Sequence, residues 1–265
     1  EWLGDSVEKI AAEKAGIIKS GRPCFIGEQR AEARAVIAGA AADRGSPLRD
    51  AEELAAISDI ELTRGGTAAR VSFEADPRLA PRFPEPLRLR TPLVGEVQAT
   101  NMALALLAVA ETETRVDARA AERGLERSFL PARFQVLPLD PPVVLDGAHT
   151  PDSAALALRT FERLFPGPKA LLFACAEDKR HERMAAILAP AFDRITLTRP
   201  GTFKASDLAA VEKSFRAAGA QPRTTADFAE AIESARAEAS AAGMSLLVIG
   251  SFYLCSEAYS RLIGS

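Results

Sequence analysis

Hydrophobic and polar positions follow different rhythms before and after Pro131. After it, short continuous apolar runs alternate with amphipathic segments. Val143–Leu145 precedes a helical pattern over Asp152–Leu164, Ala170–Ala174 precedes one over Arg180–Ala189, and Ile195–Leu197 precedes one over Ala205–Ala217. Leu246–Ile249 follows a helical pattern over Ala226–Ala239 and leads to a last helix near Ser256–Leu262. Strands apolar on both faces, spaced by helices, predict a mostly parallel sheet covered on both sides, an α/β fold.

Before Pro131 the pattern is mixed. A helix is expected over Ser6–Ala15, capped by Asp5, with Glu8 in the capping-box position and Gly16 to end it. Pro23–Gly27 reads as a short buried strand and Ala31–Ala42 as a helix. Ile57–Leu62 and Ala69–Phe73 read as a hairpin around Arg64-Gly65-Gly66. Asp76–Pro92 reads as loop with a short strand at Leu87–Leu89. Met102–Val109 is apolar on all sides and predicts a buried helix, and Asp117–Arg127 gives one more. The change of rhythm puts a boundary near Phe134–Leu139, dividing the chain into residues 1–135 and 136–265.

Composition removes several classes of function. The 265 residues carry 33 Lys+Arg against 36 Asp+Glu, for a formal charge of −3. A general nucleic-acid binder would show a basic face or stripe, so none is expected. No apolar run is long enough for a membrane span, and Glu1–Asp5 does not read as the start of a signal peptide. Cys24, Cys175 and Cys255 have no CxxC spacing and lie in apolar runs, as buried free thiols do. Their odd number points to the cytoplasm. His149 and His181 are too few for a zinc site, so a metal here would be oxygen-bound Mg²⁺.

In open parallel sheets, ligands lie beyond the C-terminal strand ends. That rule selects three loops: Asp146–Thr150, Ala176–Lys179 and Gly250–Phe252. Asp146 can accept hydrogen bonds from ribose hydroxyls, and His149 stands at the mouth of a helix whose first amides favour phosphate. The plainer reading is that Asp146 or Thr150 caps that helix and His149 is solvated. Lys14 at the end of a short helix reads as a solvated charge. Arg133, at the presumed hinge, suits a phosphate or a salt bridge. Asn101, close to Gln98 at the start of the apolar helix, suits an adenine edge or a helix cap.

Read together and in order, these segments resemble the folylpolyglutamate synthase/dihydrofolate synthase family of Mur-type ligases. The resemblance runs along nearly the whole chain. It rests on Trp2-Leu3-Gly4-Asp5, Ile10–Ile18, Gly95–Asn101, Pro131-Ala132-Arg133-Phe134, Asp146-Gly147-Ala148-His149, Asp178-Lys179 and Gly250-Ser251-Phe252. It implies the end of a central ATPase domain followed by a Rossmann-like C-terminal domain. It also implies a monomeric ligase that uses ATP and Mg²⁺ to join L-glutamate to dihydropteroate or a folate through an acyl phosphate. By matching positions, Lys14 corresponds to a carbamylated lysine that serves Mg²⁺, and Asn101 to an adenine contact. Arg133 corresponds to a phosphate contact across a cleft, Asp146 to a ribose contact, His149 to a neighbour of the transferred phosphoryl group, and Ser251 to a further nucleotide contact. Asp178 and Lys179 are left without a role.

The chain also departs from that pattern. Thr150 stands where the family has Asn, Ala132 where it has Gly, Val97 where it has His, and Arg180 where Asp is frequent. Ala132 and Thr150 are expected to be mild changes, since alanine is small and threonine can still cap. No G-x-x-x-x-G-K-[ST] loop occurs, and the dipeptide Gly-Lys is absent altogether. The loop that would cradle the β- and γ-phosphates is therefore missing from this sequence, as in the C-terminal part of a longer ligase. The alternatives are another Mur-type amino-acid ligase and a non-catalytic nucleotide-binding remnant.

Overall fold

In a computed structural model, which describes residues 6–27, 29–112, 115–202 and 205–264, the chain divides into two compact units. The first contains the residues up to Leu62, with Gly66–Pro92 and Glu96–Ser128. The second contains Thr63–Gly65, Leu93–Gly95 and Phe129–Ser265. Among the described residues, no helix is long and apolar enough to cross a membrane.

The first unit opens with α1 (Val7–Ala15). Its N-cap is Ser6, whose hydroxyl accepts from the Lys9 N–H at 3.3 Å, while the cap expected at Asp5 lies outside the described residues. β1 (Cys24–Ile26) and β2 (Leu48–Asp50) pair in parallel, with α2 (Ala31–Asp43) between them in sequence. β2 carries no apolar run to announce it, and its pairing is a tertiary effect. Asp50 then caps the one-turn helix α3 (Ala51–Leu54). β3 (Ala56–Thr63), β4 (Gly66–Ser72) and β5 (Leu87–Thr91) form a three-stranded sheet containing the expected hairpin.

α4 (Val97–Thr112) packs Met102, Ala103, Leu106 and Leu107 into the core that β4 and β5 also build. Its other face, with Asn101, Ala105 and Val109, is exposed, so burial on all sides does not hold. Alanines made the helix read as uniformly apolar, although a small methyl loses little by facing water. α5 (Ala118–Glu126) follows, capped by Asp117.

The second unit is built on one sheet. Its strands are β6 (Gln135–Leu137), β7 (Val143–Asp146), β8 (Lys169–Phe173), β9 (Arg194–Leu197), β10 (Arg223–Thr224) and β11 (Ser245–Ile249), in the spatial order β10-β9-β8-β11-β7-β6. Every pairing is parallel except β6 with β7. The helices are α6 (Pro151–Leu164), α7 (His181–Leu188), α8 (Leu208–Ala217), α9 (Phe228–Ala241) and α10 (Phe252–Ile263). One face carries Phe161, Phe165, Met184, Leu188 and Phe215 from α6–α8 and its flanks against Leu171, Phe173, Leu247 and Ile249. The other carries Ile232, Ala235, Leu254 and Ala258 from α9 and α10 against Leu145, Leu172, Leu246 and Val248. The sheet is thus covered on both sides, which is why its central strands are uniformly apolar.

The chain passes from β7 through α6 to β8 and leaves a gap that β11 later fills. Helices α6 and α10, which follow the adjacent strands β7 and β11, therefore lie on opposite faces of the sheet. Such a switch point opens a crevice at the carboxyl ends of the strands.

Candidate functional site

β7 and β11 run in register, with Asp146 beside Ile249, so the loops after them share that crevice. Thr150 caps α6. Its hydroxyl accepts from the Ser153 N–H at 3.3 Å, and Ser153 Oγ accepts from the Thr150 N–H at 3.1 Å. Threonine serves at this position, and Asp146 is released from the capping role.

Asp146 instead spans two segments. Its Oδ1 accepts from the Ala148 N–H at 2.7 Å, and its Oδ2 accepts from the Phe134 N–H at 3.0 Å. Burial pushes this carboxyl up to about 6, against the pull of both N–H groups and of Arg133 and His149. His149 is half-buried rather than solvated. Its Nδ1 lies 2.8 Å from the Gly147 carbonyl oxygen. A carbonyl only accepts, so Nδ1 carries the hydrogen and Nε2 is left for a ligand.

Arg133 projects from an unusual turn. Ala132 and Phe134 on either side of it have φ of +53° and +45°, a left-handed conformation that costs a non-glycine residue about 1–2 kcal/mol. The glycine expected at 132 would avoid that cost, so Ala132 is not the mild change its size suggests. Three bonds hold the turn: the Ala132 N–H donates to Gln135 Oε1 at 3.1 Å, the Gly147 N–H donates to the Ala132 carbonyl at 2.8 Å, and the third is Phe134 to Asp146.

Phe252 joins these parts. The Arg133 guanidinium lies 4.8 Å from the centre of its ring, and the His149 ring meets it edge-on at 6.1 Å. The ring also covers Gly147 so closely that a Cβ there would run into it. Ser251 caps α10, accepting from the Tyr253 N–H at 3.2 Å. Gly250 before it has φ +107°, and a Cβ there would clash with the Ala174 carbonyl oxygen. Phe252 was named from the sequence only as part of the Gly250–Phe252 loop, with no role of its own, and Gln135 was not singled out. The only signal for Phe252 was an aromatic residue directly after a strand-end Gly-Ser.

Lys179 Nζ donates to Asp178 Oδ2 at 3.0 Å on the turn before α7. Cys175 and Cys255 are buried free thiols, while Cys24 is only half-buried. Burial raises all three thiols, Cys175 to about 12, which leaves them poor nucleophiles. Lys14 and Asn101 belong to the first unit. Lys14 is exposed on the last turn of α1. Asn101 lies inside α4 rather than at its cap and donates from Nδ2 to Gln98 Oε1 at 2.9 Å. Among the described residues, no three His, Cys, Asp or Glu side chains gather into a metal site.

The family model of the Mur ligase, glutamate ligase domain, matches residues 132–252. The match runs from the strained turn to the ring beneath Arg133, and so spans the whole crevice. Over 97% of its length, the chain is 31% identical to a probable bifunctional folylpolyglutamate synthase/dihydropteroate synthase of Haloferax volcanii, spanning 30% of that protein. Over 99% of its length it is 30% identical to the folylpolyglutamate synthase of Lacticaseibacillus casei, spanning 59% of it. The chain thus covers less than two thirds of either relative. The Mycobacterium tuberculosis folylpolyglutamate synthase, solved with ADP and AMPPCP, shares the fold with a TM-score of 0.84, over 100% of this chain and 61% of that one, at 23% identity. The segment that matches the family model and the segment before it are both homologous to folylpolyglutamate synthases.

Proposed function

We propose that the chain is the nucleotide- and glutamate-handling part of an ATP-dependent ligase that adds L-glutamate to a folate-type carboxylate, dihydropteroate or a tetrahydrofolate polyglutamate, in the cytoplasm. The observation that carries this reading is one strand-end crevice in a glutamate ligase domain that holds a carboxylate, an imidazole and a guanidinium together: Asp146, His149 and Arg133.

Each Asp146 oxygen accepts one backbone N–H and keeps a lone pair, which suits ribose hydroxyls. The Arg133 fork meets phosphate oxygens while its flat face rests on Phe252. His149, with Nδ1 committed to Gly147, offers Nε2 to the phosphoryl group in transfer. Ser251 is a weaker contact, because its hydroxyl already serves α10. Asn101 reads the adenine edge. Lys14, as a carbamate, would give Mg²⁺ one oxygen ligand, with the other ligands supplied from outside the described residues. ATP would transfer its γ-phosphoryl group to the substrate carboxylate, releasing ADP and leaving an acyl phosphate; the glutamate amine would then attack the acyl carbon, forming the amide, expelling inorganic phosphate and losing a proton. The protein contributes positioning and charge neutralisation. The glycine-rich phosphate loop that these 265 residues lack comes from other polypeptide.

Calorimetric titration with ADP and Mg²⁺ tests this reading, together with an assay for ADP release from ATP in the presence of tetrahydrofolate or dihydropteroate and glutamate. The chain alone should bind ADP and not turn over. Steady turnover by the pure chain would refute the need for a separate phosphate loop. Absence of ADP binding would refute the nucleotide assignment.

A further inference from the structure

We infer that Gln135 is a positioning residue for Arg133: its side-chain amide closes the turn that holds the guanidinium over Phe252 and beside the crevice. The inference rests on the nucleotide role proposed for Arg133. Gln135 is the first residue of β6, with its backbone opposite Leu145. A half-buried glutamine at that place has every opportunity to point into water. Its Oε1 instead turns back three residues to accept the Ala132 N–H at 3.1 Å.

Ala132 is itself buried, at 7% exposure, so its N–H has no ready water to replace that oxygen. The other two bonds of the turn, from Gly147 and to Asp146, tie it to the loop after β7. The Gln135 bond is the one made within the turn. Two residues held at positive φ without glycine need continuous restraint. Once the Gln135 bond is cut, the turn is free to relax towards negative φ at Ala132, and the next side chain, Arg133, swings with it. Gln135 touches no reacting group. It acts through the direction in which Arg133 leaves the chain.

The test uses the whole 265-residue chain with Gln135→Met, which keeps the length of the side chain and removes the acceptor, and Gln135→Glu, which keeps the acceptor. The Arg133 Nε–H resonance should carry an upfield ring-current shift from Phe252. That shift should be lost in Gln135→Met and retained in Gln135→Glu. Affinity for ADP should fall about fivefold in Gln135→Met, the effect of one lost hydrogen bond, and Gln135→Glu should restore it. In an Arg133→Ala background, Gln135→Met should change ADP affinity by less than about twofold, because the two act as one unit. A ring-current shift that persists in Gln135→Met overturns the inference, as does an equal loss of ADP affinity in both backgrounds. If the shift behaves as expected but the unsubstituted chain does not bind ADP, the positioning role stands and the nucleotide reading of Arg133 falls.

Discussion

The two units fix their chemistry-bearing side chains in different ways. In the second, Asp146, His149 and the turn beneath Arg133 are tied to backbone groups at the edge of a sheet whose β11 is buried at every residue. In the first, Lys14 is exposed on the last turn of a nine-residue helix, and Asn101 is held by one side-chain bond to Gln98. The sheets differ in the same sense. One is six strands covered on both faces, and the others are a parallel pair and a three-stranded sheet whose β3 is largely exposed. A preorganised site needs a rigid frame beneath it, and the second unit supplies one from its own residues.

The largest expected effect therefore lies where that frame meets the crevice. Gly250 joins the fully buried β11 to the cap of α10, at φ +107° and against the Ala174 carbonyl. Gly250→Ala adds strain at φ and a backbone clash with no flexible side chain to yield. It should cost about 3 kcal/mol or more of stability, measured by urea unfolding. A loss below about 1 kcal/mol would mean that the crevice sits on a soft frame, and the contrast between the units would fail.

Asp146 gives a smaller effect with an opposite sign for stability and binding. Its carboxyl is raised by burial to about 6 in the folded chain, above the ordinary value of about 4. Its contribution to stability is therefore fully present below about pH 4 and is lost as pH rises through 6. Ribose hydroxyls need the ionised form, so ADP affinity should fall about tenfold between pH 7 and pH 5, where about one carboxyl in ten remains ionised. Calorimetry across that range checks the expectation. Asp146→Asn should bind weakly throughout and lose this part of the pH dependence. An unchanged slope in that variant would remove Asp146 from the ribose contact.

The sequence was most legible where one physical requirement dominated. Val143–Leu145, Ala170–Ala174 and Leu246–Ile249 are apolar on both faces because helices cover both faces, and the strand-end rule then led directly to Asp146 and His149. It was least legible where geometry is imposed from outside the segment. Leu48–Asp50 and Arg223–Thr224 become strands only because a neighbour pairs with them. The left-handed turn at Ala132 and Phe134 carries no glycine to mark it, so nothing in the sequence singled out Gln135. α10 begins at Phe252, ahead of its expected start near Ser256, because Ser251 caps it, so Phe252 read as a loop residue and its place under Arg133 went unread.

The smallest effect tests the first unit on its own terms. Gly124 lies in the interior of α5, exposed, with no atom within 4 Å of where a Cβ would stand and no positive φ to preserve. Nothing described in the structure uses its freedom, so it costs helix stability without return. Gly124→Ala should stabilise by about 0.5–1 kcal/mol, with slower amide exchange in the first unit and none of the change in β7, β8 or β11. If exchange slows equally in both units, they unfold together and the first unit's looser framing has no separate thermodynamic expression. If the substitution destabilises, α5 depends on the bare backbone at Gly124, and the reading of this glycine as idle fails.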